Sequence, residues 1–266
     1  MVGLASASTG AISAVGLRKT FAQENASEVV ALDRLDLTIR SGEFVSLIGP
    51  SGCGKSTFLR LVAGLAQATE GTLTLDDQPI HQPGYERGLV FQDPTLFPWM
   101  TIYENIAFGL RVRGLYKTQS REVLDFIELV GLKGFEQAYP HHLSGGMAQR
   151  ASLARTLVNH PKVVLLDEPL GALDAFTRMT MQDEILKIWR QRGTTMVMVT
   201  HDVDEAIYMS DRIIVMSPRP ARVEKVIEVE MGRPRSRDLP DFLRLRASIL
   251  QTLHFTGSRP DLQFYL

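Results

Sequence analysis

The sequence predicts an α/β fold: a buried, mostly parallel sheet, with an antiparallel β subdomain and an inserted α-helical subdomain. Three observations predict it. First, Gly49-Pro50-Ser51-Gly52-Cys53-Gly54-Lys55-Ser56 fits G-x-x-x-x-G-K-[ST] and is placed between an apolar run, Phe44 to Ile48, and a helically spaced one, Thr57 to Leu65. Second, Val163 to Leu166 and Thr195 to Thr200 are apolar without alternation, as strands covered on both faces are. Third, Leu35, Leu37 and Ile39 alternate with Asp36 and Thr38, the pattern of a half-buried strand.

In chain order, residues from about Ala11 to Arg40 are strands, with a hairpin loop over Ala22 to Ser27. Phe21 ends the segment before that loop, placed either to stack on an adenine ring or to sit in the core. The glycine loop turns backbone N–H groups towards phosphate oxygens, and the following helix adds the positive end of its dipole. Gly49, Pro50, Ser51, Gly52, Cys53, Gly54, Lys55, Ser56 and Thr57 are therefore assigned to nucleotide binding. Lys55 is placed on the β- and γ-phosphates and the Ser56 hydroxyl on Mg²⁺. Cys53, the one cysteine, excludes an internal disulfide, and its place in the loop suggests sensitivity to alkylation.

A strand pair is expected near Gly71 to Asp76, and a further strand over Gly88 to Gln92. The proline-broken apolar loop Leu96-Phe97-Pro98-Trp99-Met100 either docks another protein or packs on its own domain. From Tyr103 to about Gly134 the spacing turns helical, with Val123, Leu124, Ile127, Val130 and Leu132 on one face. Ser144, Gly145 and Gly146 open the next helix, where a hydroxyl, close backbone approach and a helix dipole suit either a plain N-cap or an anion.

The strand from Val163 ends on two carboxylates, at the end of the sheet where α/β proteins place their chemistry. Asp167 is assigned to the Mg²⁺ shell and Glu168 to the general base acting on water. The strand from Thr195 delivers His201. A lone histidine there is often structural, but beside a nucleotide it suits a γ-phosphate contact. Arg212 to Met216 is the next strand. The basic, proline-rich run from Ser217 to Arg237 suggests a solvated surface, and Phe242, Leu245, Ile249, Leu250 and Leu253 a closing amphipathic helix.

Composition narrows the function. A net charge of -1 over 266 residues makes no electrostatic case for nucleic acid, and 44% apolar residues suffice for a large core. No apolar stretch reaches the ~18 residues of a membrane span, and the start lacks the pattern of a signal peptide. A cytoplasmic chain able to dock on a membrane partner is expected.

These motifs together resemble the ATP-binding cassette (ABC) ATPases that drive membrane transport, which implies a phosphate-loop NTPase with a RecA-like sheet. GPSGCGKS matches the Walker A loop, Gln92 the Q-loop, LSGGMAQR the family signature and VVLLDEP the Walker B strand. Leu173-Asp174 matches the D-loop and His201 the switch histidine, while Met147 departs from the usual glutamine. The resemblance implies that Gln92 joins Ser56 and Asp167 at Mg²⁺ and joins Glu168, His201 and Lys55 in catalysis. It also implies that two cassettes pair head to tail, ATP lying between Lys55 of one and Ser144 of the other. The organisation expected is an ATPase unit over 11–240, a helical insertion at about 93–158, and a C-terminal helix and tail over 241–266.

Leu96-Phe97-Pro98-Trp99, Glu168-Pro169-Leu170-Gly171-Ala172-Leu173-Asp174 and Gly232-Arg233-Pro234-Arg235-Ser236-Arg237 are similar to the importers of nitrate, taurine and aliphatic sulfonates. That likeness implies a peripheral subunit on the inner face of the membrane, under a separate permease fed by an external solute-binding protein. Two alternatives stand beside it: a soluble ABC ATPase acting on nucleic acid or ribosomes, and a binding-only module. The first usually carries two cassettes or a coiled coil, which this chain lacks. The second is disfavoured because Lys55, Glu168 and His201 are all present.

Overall fold

A computed structural model describes residues 9–22 and 28–256. Most of the expected hairpin loop, and the chain before and after these bounds, lie outside the described residues. Strands β1 (Ile12–Ala22), β2 (Glu28–Ile39), β4 (Glu70–Leu75) and β5 (Gln78–Pro79) form an antiparallel sheet in the order β2-β1-β4-β5. On β2 the alternation holds, with Leu35, Leu37 and Ile39 buried and Asp36 and Thr38 exposed.

The second sheet has the order β10-β9-β3-β8-β7-β6. Within it β3 (Phe44–Ile48), β6 (Arg87–Val90), β7 (Val163–Asp167), β8 (Thr195–Val199) and β9 (Arg212–Met216) run parallel. Every residue of β3, β7 and β8 is buried, as their unbroken apolar runs require. The edge strand β10 (Val223–Glu228) pairs antiparallel with β9. Helix α1 (Lys55–Val62) fills the space between the two sheets, with Phe58, Leu59 and Leu61 against Val45, Leu47 and Leu35.

The predicted insertion contains α2 (Ile102–Val112), α3 (Tyr116–Leu129) and α4 (Gly145–Leu157). With α5 (Ala175–Arg192) they cover the other sheet face, Ile106, Leu110, Leu153 and Ile185 packing near Phe44 and Leu166. Thr101 and Glu104 start α2 with a reciprocal capping box. Helix α6 (Val203–Met209) and α7 (Pro240–Thr256) pack together over Ile48 and Val215 through Ile207, Phe242 and Ile249.

Four expectations need correction. Helix α1 stops at Val62 because the Leu65 N–H turns back to the Arg60 carbonyl, which leaves Leu65 exposed. The strand over Gly88 to Gln92 ends at Val90, and the next carbonyl, of Phe91, accepts from the Gln149 side chain instead. Leu124 is exposed rather than on the buried face of α3. The basic run is not simply a solvated surface. It contains β10, and Arg235 is 6% exposed, donating to the carbonyls of Ile207, Tyr208, Ser210, Val229 and Met231. Arg233 pairs with Asp211 and lies 4.5 Å over the Trp189 ring.

Candidate active site

The C-terminal ends of β3, β7 and β8 are neighbours in the sheet, so residues far apart in sequence emerge together there. After β3 the chain forms the glycine loop and enters α1. Gly54 has φ +134, and a Cβ on it would lie 2.8 Å from the Ala31 carbonyl oxygen, so only glycine lets the loop pass this close to β2. Lys55 is 7% exposed, and its Nζ donates to the carbonyls of Gly49 and Pro50 at 2.8 and 2.9 Å. The loop is thus closed around its own lysine. The Cys53 side chain is 1% exposed and faces the core, which removes the expected sensitivity to alkylation.

Ser56 Oγ donates to Asp167 Oδ1 at 2.9 Å, bringing the start of α1 to the end of β7. Burial pushes the Asp167 carboxyl above the usual carboxylate range. The Ser56 hydrogen bond opposes that shift and the neighbouring Glu168 charge adds to it. Glu168 has φ +48, a left-handed conformation uncommon for a side chain this size, and its N–H is held by the Val199 carbonyl at 2.9 Å. Its carboxylate then meets two groups: Gln92 Nε2 at 3.3 Å and His201 Nδ1 at 3.3 Å.

These groups border one open cleft of about 750 Å³. Lys55, Ser56, Thr57, Ser51, Gly52 and Gly54 form its floor, with Gln92, Glu168 and His201 at one end. Phe21 also lines the cleft, with Val29 and Ala31, and is 44% exposed, with Lys19 Nζ 4.9 Å from its ring centre. It is a cleft residue rather than a core residue. Gly49, Pro50 and Cys53 stand behind the floor, and Asp167 reaches it through Ser56. Ser144, Gly145 and Gly146 do not border this cleft. Ser144 caps α4 by accepting from the Met147 N–H at 3.3 Å, and both Ser144 and Gly145 are exposed. Arg219 also lines the cleft and carries no motif, since only the fold places the turn after β9 beside the glycine loop.

The site's chemistry fits its expected ligands. Backbone donors and a lysine suit a polyphosphate, and a hydroxyl beside one carboxylate suits Mg²⁺, which keeps waters and shares phosphate oxygens. Fold and cleft together define a phosphate-loop nucleotide hydrolase of the α/β class. The family model described as ABC transporter matches residues 32–171. The chain is similar to an uncharacterized ABC transporter ATP-binding protein of Methanocaldococcus jannaschii, 49% identical over 230 residues and 86% of each chain. It is also similar to the aliphatic sulfonates import ATP-binding protein of Bacillus subtilis, 44% identical over 238 residues, covering 90% of this chain and 92% of that one. A solved dimeric, post-hydrolysis ATP-binding cassette bound to ADP and Pi superposes with a TM-score of 0.75 at 30% identity, over 83% of this chain and 100% of that one. The chain belongs to the ABC transporter family and is an ATPase of that family.

Proposed function

We propose that this ATPase is the peripheral, energising subunit of an importer for a small oxyanion or sulfonate, working as a pair of cassettes under a separate permease. The observation that carries the reading is the meeting of Gln92, Glu168 and His201 in the cleft floored by Lys55 and Ser56. Phe21 stacks on the adenine. Lys55 leaves the Gly49 and Pro50 carbonyls for the β- and γ-phosphates as the glycine loop's N–H groups take the remaining oxygens. Ser56, Asp167 and Gln92 would hold Mg²⁺, which would supply positive charge to offset that of the polyphosphate. Glu168 orients the attacking water and accepts its proton, and His201, beside it, donates to the γ-phosphate.

Ser144 and Gly145 are exposed and Gly146 half-buried at the head of α4, all outside their own chain's cleft, which supports their closing the cleft of a second cassette. The loop after Gln92 supports permease docking. Leu96 is anchored on the core and Phe97 packs on Phe108 at 4.8 Å, while Trp99 stays 70% exposed. Among the described residues no helix is long and apolar enough to cross a membrane. The relatives named for aliphatic sulfonate import, at 44 to 47% identity, support the solute class.

The test is ATP hydrolysis in membranes carrying this chain and the permease encoded beside it, with Glu168→Gln in parallel. Stimulation by a sulfonate or oxyanion with its binding protein, lost in Glu168→Gln, is expected. Solute-independent hydrolysis across sulfonates, taurine and nitrate would remove the solute class and leave the ATPase.

A further inference from the structure

The segment after β9 belongs to none of the motifs above, yet it brings Arg219 to the cleft. Residues 217–222 leave β9 and run across to β2. There the Ala221 N–H donates to the Ala31 carbonyl at 3.0 Å, and the Ala221 carbonyl accepts from the Asp33 N–H at 3.1 Å. Arg222 adds an ion pair with Asp33. This strap therefore has its own attachment to the antiparallel sheet, independent of the glycine loop.

Arg219 is the strap residue that reaches the loop. Its Nε and Nη2 both donate to the Gly52 carbonyl, at 3.1 and 2.7 Å. Gly52 occupies the tip of the loop with φ +69, in a turn closed by a long backbone bond, Cys53 N–H to Pro50 O at 3.3 Å. Two cations thus hold the loop at different carbonyls: Lys55 on those of Gly49 and Pro50, Arg219 on that of Gly52. They differ in what a nucleotide asks of them. Lys55 must release its carbonyls to face the phosphates, whereas Arg219 can keep its bond. Once Lys55 turns, Arg219 is the cation still holding the tip in shape.

Taking the cleft as the ATP site, we propose that Arg219 is a positioning residue that pre-forms the glycine loop and thereby sets nucleotide affinity. A loop already held in its binding shape loses less freedom on binding. A planar guanidinium offers two donors to one carbonyl, and lysine offers a single point charge without that geometry. The role belongs to binding, since Arg219 is not among the groups around Glu168.

The test compares Arg219→Ala, Arg219→Lys and Arg222→Ala with the unaltered chain, by calorimetric titration with MgATP and with MgADP, ATP turnover, and thermal unfolding. Arg219→Ala should raise both dissociation constants about five- to tenfold and raise KM alike, with kcat within about twofold. Arg219→Lys should recover part of the loss. Arg222→Ala cuts the neighbouring tie to Asp33 without touching the loop and should stay within about twofold throughout. Unchanged affinity in Arg219→Ala overturns the proposal. So does an equal loss in Arg222→Ala, which would assign the effect to the strap as a whole, or a fall in kcat that tracks a lowered unfolding temperature. If the unaltered chain binds neither nucleotide, it is the ATP-site reading that fails.

Discussion

At the scale of single residues, the site holds a conflict between stability and chemistry. Asp167 is buried beside a second carboxylate, and its pKa is raised chiefly by burial. A raised carboxyl pKa means the folded chain binds that proton more tightly than the unfolded chain does. The stability it provides is present at and below the ordinary carboxylate pKa and is lost as pH rises through the folded value. At neutral pH the charged group is a standing cost, one that the proposed Mg²⁺ role of Asp167 would account for. Asp167→Asn keeps an oxygen to accept from Ser56 and removes the charge. It should stabilise the nucleotide-free protein by about 1 kcal/mol at pH 7, and by less near pH 4, while abolishing Mg²⁺-dependent hydrolysis. Urea unfolding at the two pH values checks the sign. A variant less stable than the parent at pH 7 would show that the Ser56 bond outweighs desolvation. Glu168, one residue on, is held out of the strand's line by its left-handed backbone, and Gly at that position relaxes the backbone while deleting the proposed base. Glu168→Gln retains the hydrogen-bonding shape, so it should lower kcat by at least about a hundredfold with nucleotide binding intact, measured by single-turnover hydrolysis and titration.

At the scale of elements, the end of α6 and the tail beyond β10 depend on one arginine. Arg235 donates to carbonyls of α6, of the turn after it and of residues 229 and 231, and burial and the nearby Arg233 lower its pKa to about 10. Arg235→Ala leaves those buried carbonyls without donors and should cost about 3 kcal/mol, read from urea unfolding. α7 should loosen first, detected by proteolysis, because it packs on α6. This clamp was not legible in the sequence. Arg-Pro-Arg-Ser-Arg has the composition of a solvated surface, and only the turn of the chain back onto α6 shows that carbonyls await it. β10 escaped for a related reason: an exposed edge strand with a burial pattern close to random has no face to alternate. In contrast β3, β7 and β8 were legible almost to the residue, because a strand covered on both faces can tolerate little except apolar side chains. The ends of elements were read less well than their centres, as at Leu65 and Gln92, since hydrogen bonds to distant groups decide where a strand or helix stops.

At the scale of the whole molecule, motif residues from six separate stretches divide into two sets. Phe21, the glycine loop, Gln92, Glu168 and His201 share one cleft, whereas Ser144, Gly145 and Gly146 lie outside it, the first two exposed. The sequence shows both sets but cannot say that they fail to meet within one chain; that needs the fold. A site divided in this way predicts complementation. Lys55→Ala and Ser144→Arg should each be inactive alone, because every site in a pair of identical chains then carries the lesion. In a mixed head-to-tail pair the lesions fall together in one site, and the other site has both its lysine and its serine intact. With random pairing at equal amounts, half of the pairs are mixed and each has one good site, so about a quarter of the parental hydrolysis should return. The rate should also rise more steeply than linearly with protein at low concentration, as formation of the pair becomes limiting. Hydrolysis that stays proportional to protein down to nanomolar amounts, or mixtures that pair without regaining activity, would place the whole active site in one chain and leave Ser144 as nothing more than the cap of α4.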